Sequence, residues 1–102
     1  MLRFIAVFVG VACLVGCAGA PPVQDMSDAR QAIAAAGAAG ATSATSPDFY
    51  AAQAAIARAE VHLQAQEFTR ARLAAKQAKR HAAAALAGAN AQHAEAPVTQ
   101  PQ

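Results

Sequence analysis

From Met26 to Leu86 the apolar residues recur in steps of three and four, and most of them are alanine. That combination leaves few folds open. Such steps put side chains on one face of an α-helix, and alanine, the strongest helix former, adds almost no side chain of its own. Helices that meet through alanine approach closely, yet each contact removes little apolar area from water. The expected fold is all-α: a short N-terminal helix plus an antiparallel Ala-rich helical hairpin, three helices with flexible ends.

Met26, Ala29, Ile33 and Ala36 set the first helix, over about Met26–Ala36. Asp25, Ser27 and Asp28 are candidates to cap its start, and Gly37 and Gly40 can end it. Ala41–Ser46 is small and polar and reads as a loop. Ser46-Pro47-Asp48 is a helix start, with Ser at the cap, Pro in the first position and Asp in the first turn. Phe49, Ala52, Ile56, Ala59 and Leu63 carry a second helix to about Ala65, and Tyr50, Ala57 and Val61 are expected to widen its apolar face. A third helix carries Phe68, Ala71, Ala75, Ala78, Ala82 and Ala85, with Arg70, Arg72, Lys76, Lys79 and Arg80 on its other side.

The step from Leu63 to Phe68 is five residues, which turns the stripe by about 140° at 100° per residue. The phase change at Gln64–Glu67 predicts a hairpin rather than one long rod. From Ala89 onward the chain is polar, includes Pro97 and Pro101, and is expected to be a disordered tail. The large apolar side chains available for a core are Met26, Ile33, Phe49, Tyr50, Ile56, Val61, Leu63, Phe68, Leu73 and Leu86. So small a set predicts a marginal monomer, helped by a homo-oligomer or by a partner covering the Ala-rich face.

The 56% of hydrophobic residues would suit a membrane protein, but much of it is alanine and the strongly apolar run is confined to Phe4–Val15. Twelve residues are too few for a permanent span, which needs about 20. Arg3, the apolar run and the small residues after it form a secretory signal. The run closes on Leu14-Val15-Gly16-Cys17, which resembles the lipobox of bacterial lipoproteins at every position. The resemblance implies cleavage before Cys17, a diacylglyceryl group on its sulfur and often an acyl group on its new amine. The other reading is an ordinary signal cut after Ala18 or Ala20. Two or three acyl chains anchor a protein stably, at about 0.8 kcal/mol per buried methylene. Ala18 rather than Asp after the cysteine implies sorting to the outer membrane, facing the periplasm, rather than retention at the inner membrane. The expected organisation is a signal peptide over 1–16, a lipidated tether over 17–23, a helical domain over 24–88 and a tail over 89–102. Cys13 leaves with the signal, so no internal disulfide can form even in an oxidising compartment. Without Arg3, seven Lys/Arg stand against six Asp/Glu, a charge of about +1.

Over about Val23–Leu86 the chain also resembles a family of short helical lipoproteins catalogued as domain of unknown function 4398. The likeness rests on Met26-Ser27-Asp28-Ala29-Arg30-Gln31-Ala32-Ile33, on Ser46-Pro47 followed by Tyr50, and on Phe68-Thr69-Arg70-Ala71-Arg72. It implies an exported, lipid-anchored, helical protein and assigns no activity. The Gly-Asp or Gly-Glu turn usual there is replaced by Ala65-Gln66-Glu67.

No nucleophile, phosphate loop or zinc motif is recognisable, so the expectation is a non-enzyme with no catalytic residue, no metal and no cofactor. In the expected hairpin His62 and His81 stand about 18 Å apart at 1.5 Å per residue, too far for one metal, and His93 falls in the tail. Arg72, Lys76, Lys79 and Arg80 share one side of the third helix and form a possible anionic-ligand face. It could serve lipid headgroups, peptidoglycan or an acidic envelope protein, or be a solvated face only. The small net charge and the compartment disfavour nucleic acid. The leading expectation is a small structural or adaptor lipoprotein of the cell envelope, held to the membrane by its acyl chains. The alternative is non-covalent peptidoglycan or anionic-lipid binding through the basic face.

Overall fold

A computed structural model describes residues 20–95. The stretch expected to be a signal peptide, Cys17 and the chain from 96 onward lie outside the described residues. Three helices follow in order: α1 over Val23–Ala38, α2 over Pro47–Gln64 and α3 over Phe68–Glu95. The expected all-α fold is shown. α2 and α3 form the antiparallel hairpin, and α1 lies chiefly along α3.

α1 starts inside the stretch expected to be tether. Pro22 is its cap residue and no side chain caps it. Proline fits there because its missing N–H would have had no helical partner, and the Pro22 carbonyl accepts from the Met26 amide at 3.0 Å. Asp25, Ser27 and Asp28 are therefore inside the helix rather than capping it. Gly37 does not end α1 either, since a glycine inside a helix costs only about 1 kcal/mol. The ring of Phe49 lies 3.7 Å from where a Gly37 Cβ would stand. The helix stops at Gly40, whose φ of 106° turns the chain left-handed. Its amide donates to the Gly37 carbonyl and that of Ala41 to the Ala36 carbonyl, both at 3.0 Å, which closes the paired-bond terminus that glycine favours.

Thr42 and Thr45 brace the following loop through their hydroxyls, 2.7 Å apart. As expected, Ser46 caps α2, its Oγ accepting from the Phe49 amide at 3.1 Å, with Pro47 in the first position. The hairpin turn falls where the stripe changes phase. The Glu67 amide donates to the His62 carbonyl at 2.8 Å and the Gln66 amide to the Leu63 carbonyl at 3.0 Å. This is the same terminus as in α1, but Gln66 rather than glycine takes the left-handed position, with φ 60°. No Gly or Pro is needed because the two hydrogen bonds and the hairpin packing hold it.

Among the described residues thirteen of the fifteen buried apolar ones are alanine, so close backbone approach rather than large side chains makes the core. One cluster gathers Met26 and Ala29 of α1 with Ala55, Ala59, Ala74, Ala75 and Ala78 of the hairpin, flanked by Ile56 and Leu63. The other joins Ala36, Ala41 and Phe49 to Ala85 and Ala89, flanked by Ile33 and Leu86. Among the described residues Met26 is the one large side chain buried completely.

Two expectations about the core need correction. Tyr50, Val61 and Leu73 stay 64%, 64% and 57% exposed, and Ala57 is exposed with them. The α2 seam is centred on Ala52, Ala55 and Ala59, which leaves Tyr50, Ala57 and Val61 pointing away from both neighbours. The chain past Ala89 is not tail up to Glu95, because α3 runs seven residues beyond the expected domain end at 88. Ala89 is buried in the second cluster, and one turn later His93 Nε2 lies 2.8 Å from the Ala39 carbonyl. Tertiary contact with the end of α1 thus extends a helix that alanine already favours.

Candidate functional site

The basic side of α3 is not one open face. Arg72 Nε lies 3.5 Å from Asp25 Oδ2, and its Nη2 donates to the Ala20 carbonyl at 3.2 Å. Lys79 Nζ lies 3.9 Å from Asp28 Oδ2. These two cations face α1, because the α1 acids one turn apart stand opposite the α3 cations two turns apart. Lys76 and Arg80 point past α1 into solvent. Among the described residues neither has a carboxylate within ion-pair distance.

α1 is fastened to α2 as well, by Arg30 Nη2 to Glu60 Oε1 at 3.2 Å. All three straps are half-exposed, and pairs of that kind contribute about 0.2–1 kcal/mol each. They set register more than stability. On the opposite side of the hairpin Arg58 Nη2 reaches Gln77 Oε1 at 3.5 Å. Glu60 and Arg58 are two residues apart, as are Lys79 and Gln77, and two residues turn a helix by about 200°. α1 therefore covers one face of the hairpin and leaves the other to solvent.

The three histidines serve three different places. His62 Nδ1 lies 3.2 Å from Glu67 Oε1 across the hairpin turn, and Arg70 Nη1 donates to Glu67 Oε2 at 2.9 Å. The hydrogen bond from His62 is the largest influence on the Glu67 carboxyl and, with the charges of Arg70 and His62, holds it below its ordinary pKa although desolvation pushes the other way. His81 Nδ1 lies 3.3 Å from Asp48 Oδ1, and His93 meets the Ala39 carbonyl. Among the described residues no three His, Cys, Asp or Glu side chains gather as metal ligands, and no helix is long and apolar enough to cross a membrane.

A shallow cleft of about 190 Å³ lies between the loop entering α2 and α3, lined by Thr45, Ser46 and Asp48 on one wall and Ala84, Gly88 and Gln92 on the other. A Cβ at Gly88 would meet nothing within 4 Å. Asp48 is its one ionisable lining residue, and its oxygen already faces His81.

Sequence reasoning missed two contacts. His93 continues the stripe Ala82, Ala85, Ala89 by one more step of four, a signal that was there to read. The hold of Arg72 on Ala20 spans 52 residues and leaves no trace in local spacing. Cys17 lies outside the described residues, three positions before Ala20. No protein-family model, no curated protein and no solved structure matches the chain, and the functional reading rests on the chemistry of its own residues.

Proposed function

We propose that the chain is an exported lipoprotein, anchored through Cys17 in the outer membrane and facing the periplasm. There its three-helix module acts as a non-catalytic structural or adaptor element of the cell envelope. The observation that carries this reading is Leu14-Val15-Gly16-Cys17 directly after the apolar run Phe4–Val15. Acyl chains on Cys17 hold the module to the bilayer. Five residues separate that cysteine from α1, so the module stays close to the surface that anchors it.

The adaptor role is supported by an uncovered stripe on α2. Tyr50, Ala57 and Val61 follow one another at steps of seven and four, and its two large members are each 64% exposed. An envelope protein or a second copy of the chain can cover it. The second reading, peptidoglycan or anionic-lipid binding, is favoured by Lys76 and Arg80, the solvent-facing half of the expected basic face.

Mass spectrometry of the N-terminal peptide from the exported protein tests the anchor, with acylated Cys17 as the expected product. Cys17→Ser should release the protein from the membrane fraction. An N-terminus at Gly19 or Pro21 would overturn the lipoprotein reading. Cross-linking at Tyr50 in intact envelopes tests the adaptor role. Recovery of one defined protein adduct or a homodimer is expected, whereas sedimentation with protein-free peptidoglycan and no adduct would favour the second reading.

A further inference from the structure

α1 and α3 both start at the end of the bundle where the chain arrives from Cys17, and α2 finishes there. Ala20 marks this tether end, held by Arg72. Three backbone steps lead from Ala20 back to Cys17, a reach of about 10 Å at most.

Charge is distributed unevenly along the bundle. All seven Lys/Arg after Arg3 lie in the half of the bundle on the tether side: Arg30 on α1, Arg58 on α2, and Arg70, Arg72, Lys76, Lys79 and Arg80 on α3. The furthest, Arg80, is twelve residues into α3, about 18 Å along a helix that spans about 42 Å at 1.5 Å per residue. Asp25, Asp28, Glu60 and Glu67 share this region, which leaves it at +3. The far part holds Asp48, which faces His81, and no Lys or Arg among the described residues, a charge of −1. Two helix N-termini, with their positive dipole ends, meet one C-terminus at the tether end and add to the same polarity. Three of the four large exposed apolar side chains, Val23, Val61 and Leu73, sit there as well.

We propose that this tether end is a docking surface for anionic phospholipid headgroups, so that the module stands end-on against the membrane that anchors it. The inference rests on the lipoprotein reading of Cys17. The positive end is drawn to a negatively charged leaflet, while the far end is repelled by it. Val23, Val61 and Leu73 then reach the headgroup boundary, while Lys76 and Arg80, about 12 and 18 Å along α3, feel the charge of the leaflet over about one Debye length rather than touching its phosphates. The cleft beside Asp48 and the His93–Ala39 contact are turned outward.

The test uses the mature chain 17–102, its single cysteine coupled to a maleimide lipid in vesicles. A fluorescent amino acid is introduced at position 69, on the tether end, or at position 44, on the far loop, and a headgroup nitroxide lipid is the quencher. With phosphatidylglycerol in the vesicles, quenching at 69 should exceed that at 44 several-fold. The ratio should fall toward unity in pure phosphatidylcholine, in high salt, and in Lys76→Gln/Arg80→Gln, a pair whose side chains make no ion pair within the described fold. Equal quenching at the two positions, or the same ratio on both lipids, would overturn the docking surface. Because the coupling is chemical, acylation of native Cys17 is measured separately. End-on quenching with an unacylated native Cys17 keeps the surface and removes the anchor reading, and the reverse pair of results does the opposite.

Discussion

Gln66 occupies a backbone position that suits glycine, and replacing it should stabilise the fold. At φ 60° a residue with a Cβ pays about 1–2 kcal/mol for the left-handed conformation. Glycine is relieved of that cost but loses up to about 1 kcal/mol more backbone entropy on folding. The Gln66 side chain is exposed and makes no hydrogen bond in the described fold, so nothing else is lost. Gln66→Gly should therefore stabilise the protein by about 0.5–1 kcal/mol. In urea denaturation followed by helical circular dichroism, with a slope of about 1 kcal/mol per molar for a small protein, the midpoint should rise by about 0.5–1 M. Gly40→Ala is the mirror experiment, because φ 106° penalises any Cβ, and its midpoint should fall. A Gln66→Gly midpoint that stays level or drops, with an unaffected Gly40→Ala, would show that these helix ends do not have the paired-bond geometry described above.

Met26→Ala should cost about 2–5 kcal/mol, the usual range for emptying a fully buried long side chain, read from the same urea midpoint; a loss under about 1 kcal/mol would mean that the alanine seam closes over the cavity. Truncation after Ala87 should lower the midpoint, since it removes buried Ala89 and the His93 contact with Ala39, and an unchanged midpoint would restore a tail beginning at 89. The Glu67 carboxyl is held below its ordinary value chiefly by the His62 hydrogen bond. Its contribution is therefore complete above the unfolded glutamate value of about 4.3 and is lost as pH falls through the lower native value. Stability of the wild type measured against pH should drop across that acid window, and Glu67→Gln should flatten the drop; an identical acid limb in the variant would sink this assignment.

The helices, their order and the hairpin were legible because each follows from local chemistry. Alanine at three- and four-residue steps makes amphipathic helices, Ser46-Pro47-Asp48 opens α2, and the five-residue step from Leu63 to Phe68 forces a change of face. The Leu14–Cys17 motif is local too, a short string of residues that an enzyme would read, and its assignment still rests on sequence alone.

What spacing could not supply is everything that depends on which helix lies beside which. On a helical wheel Arg72, Lys76, Lys79 and Arg80 form one basic face. Only the position of α1 divides them, placing Asp25 and Asp28 against Arg72 and Lys79 and leaving Lys76 and Arg80 outside. Tyr50 and Val61 looked like core because they are apolar and helically spaced, but a core side chain needs a neighbour, and α1 lies on another face. The end of α3 was set by Ala39 and Phe49, far away in the chain, which give Ala89 and His93 something to pack on. The basic tether end likewise arises only when α2 folds back antiparallel, bringing Arg58 and the start of α3 to the level of Ala20. Periodicity along one chain settles which residues share a face, and packing between helices settles what that face meets.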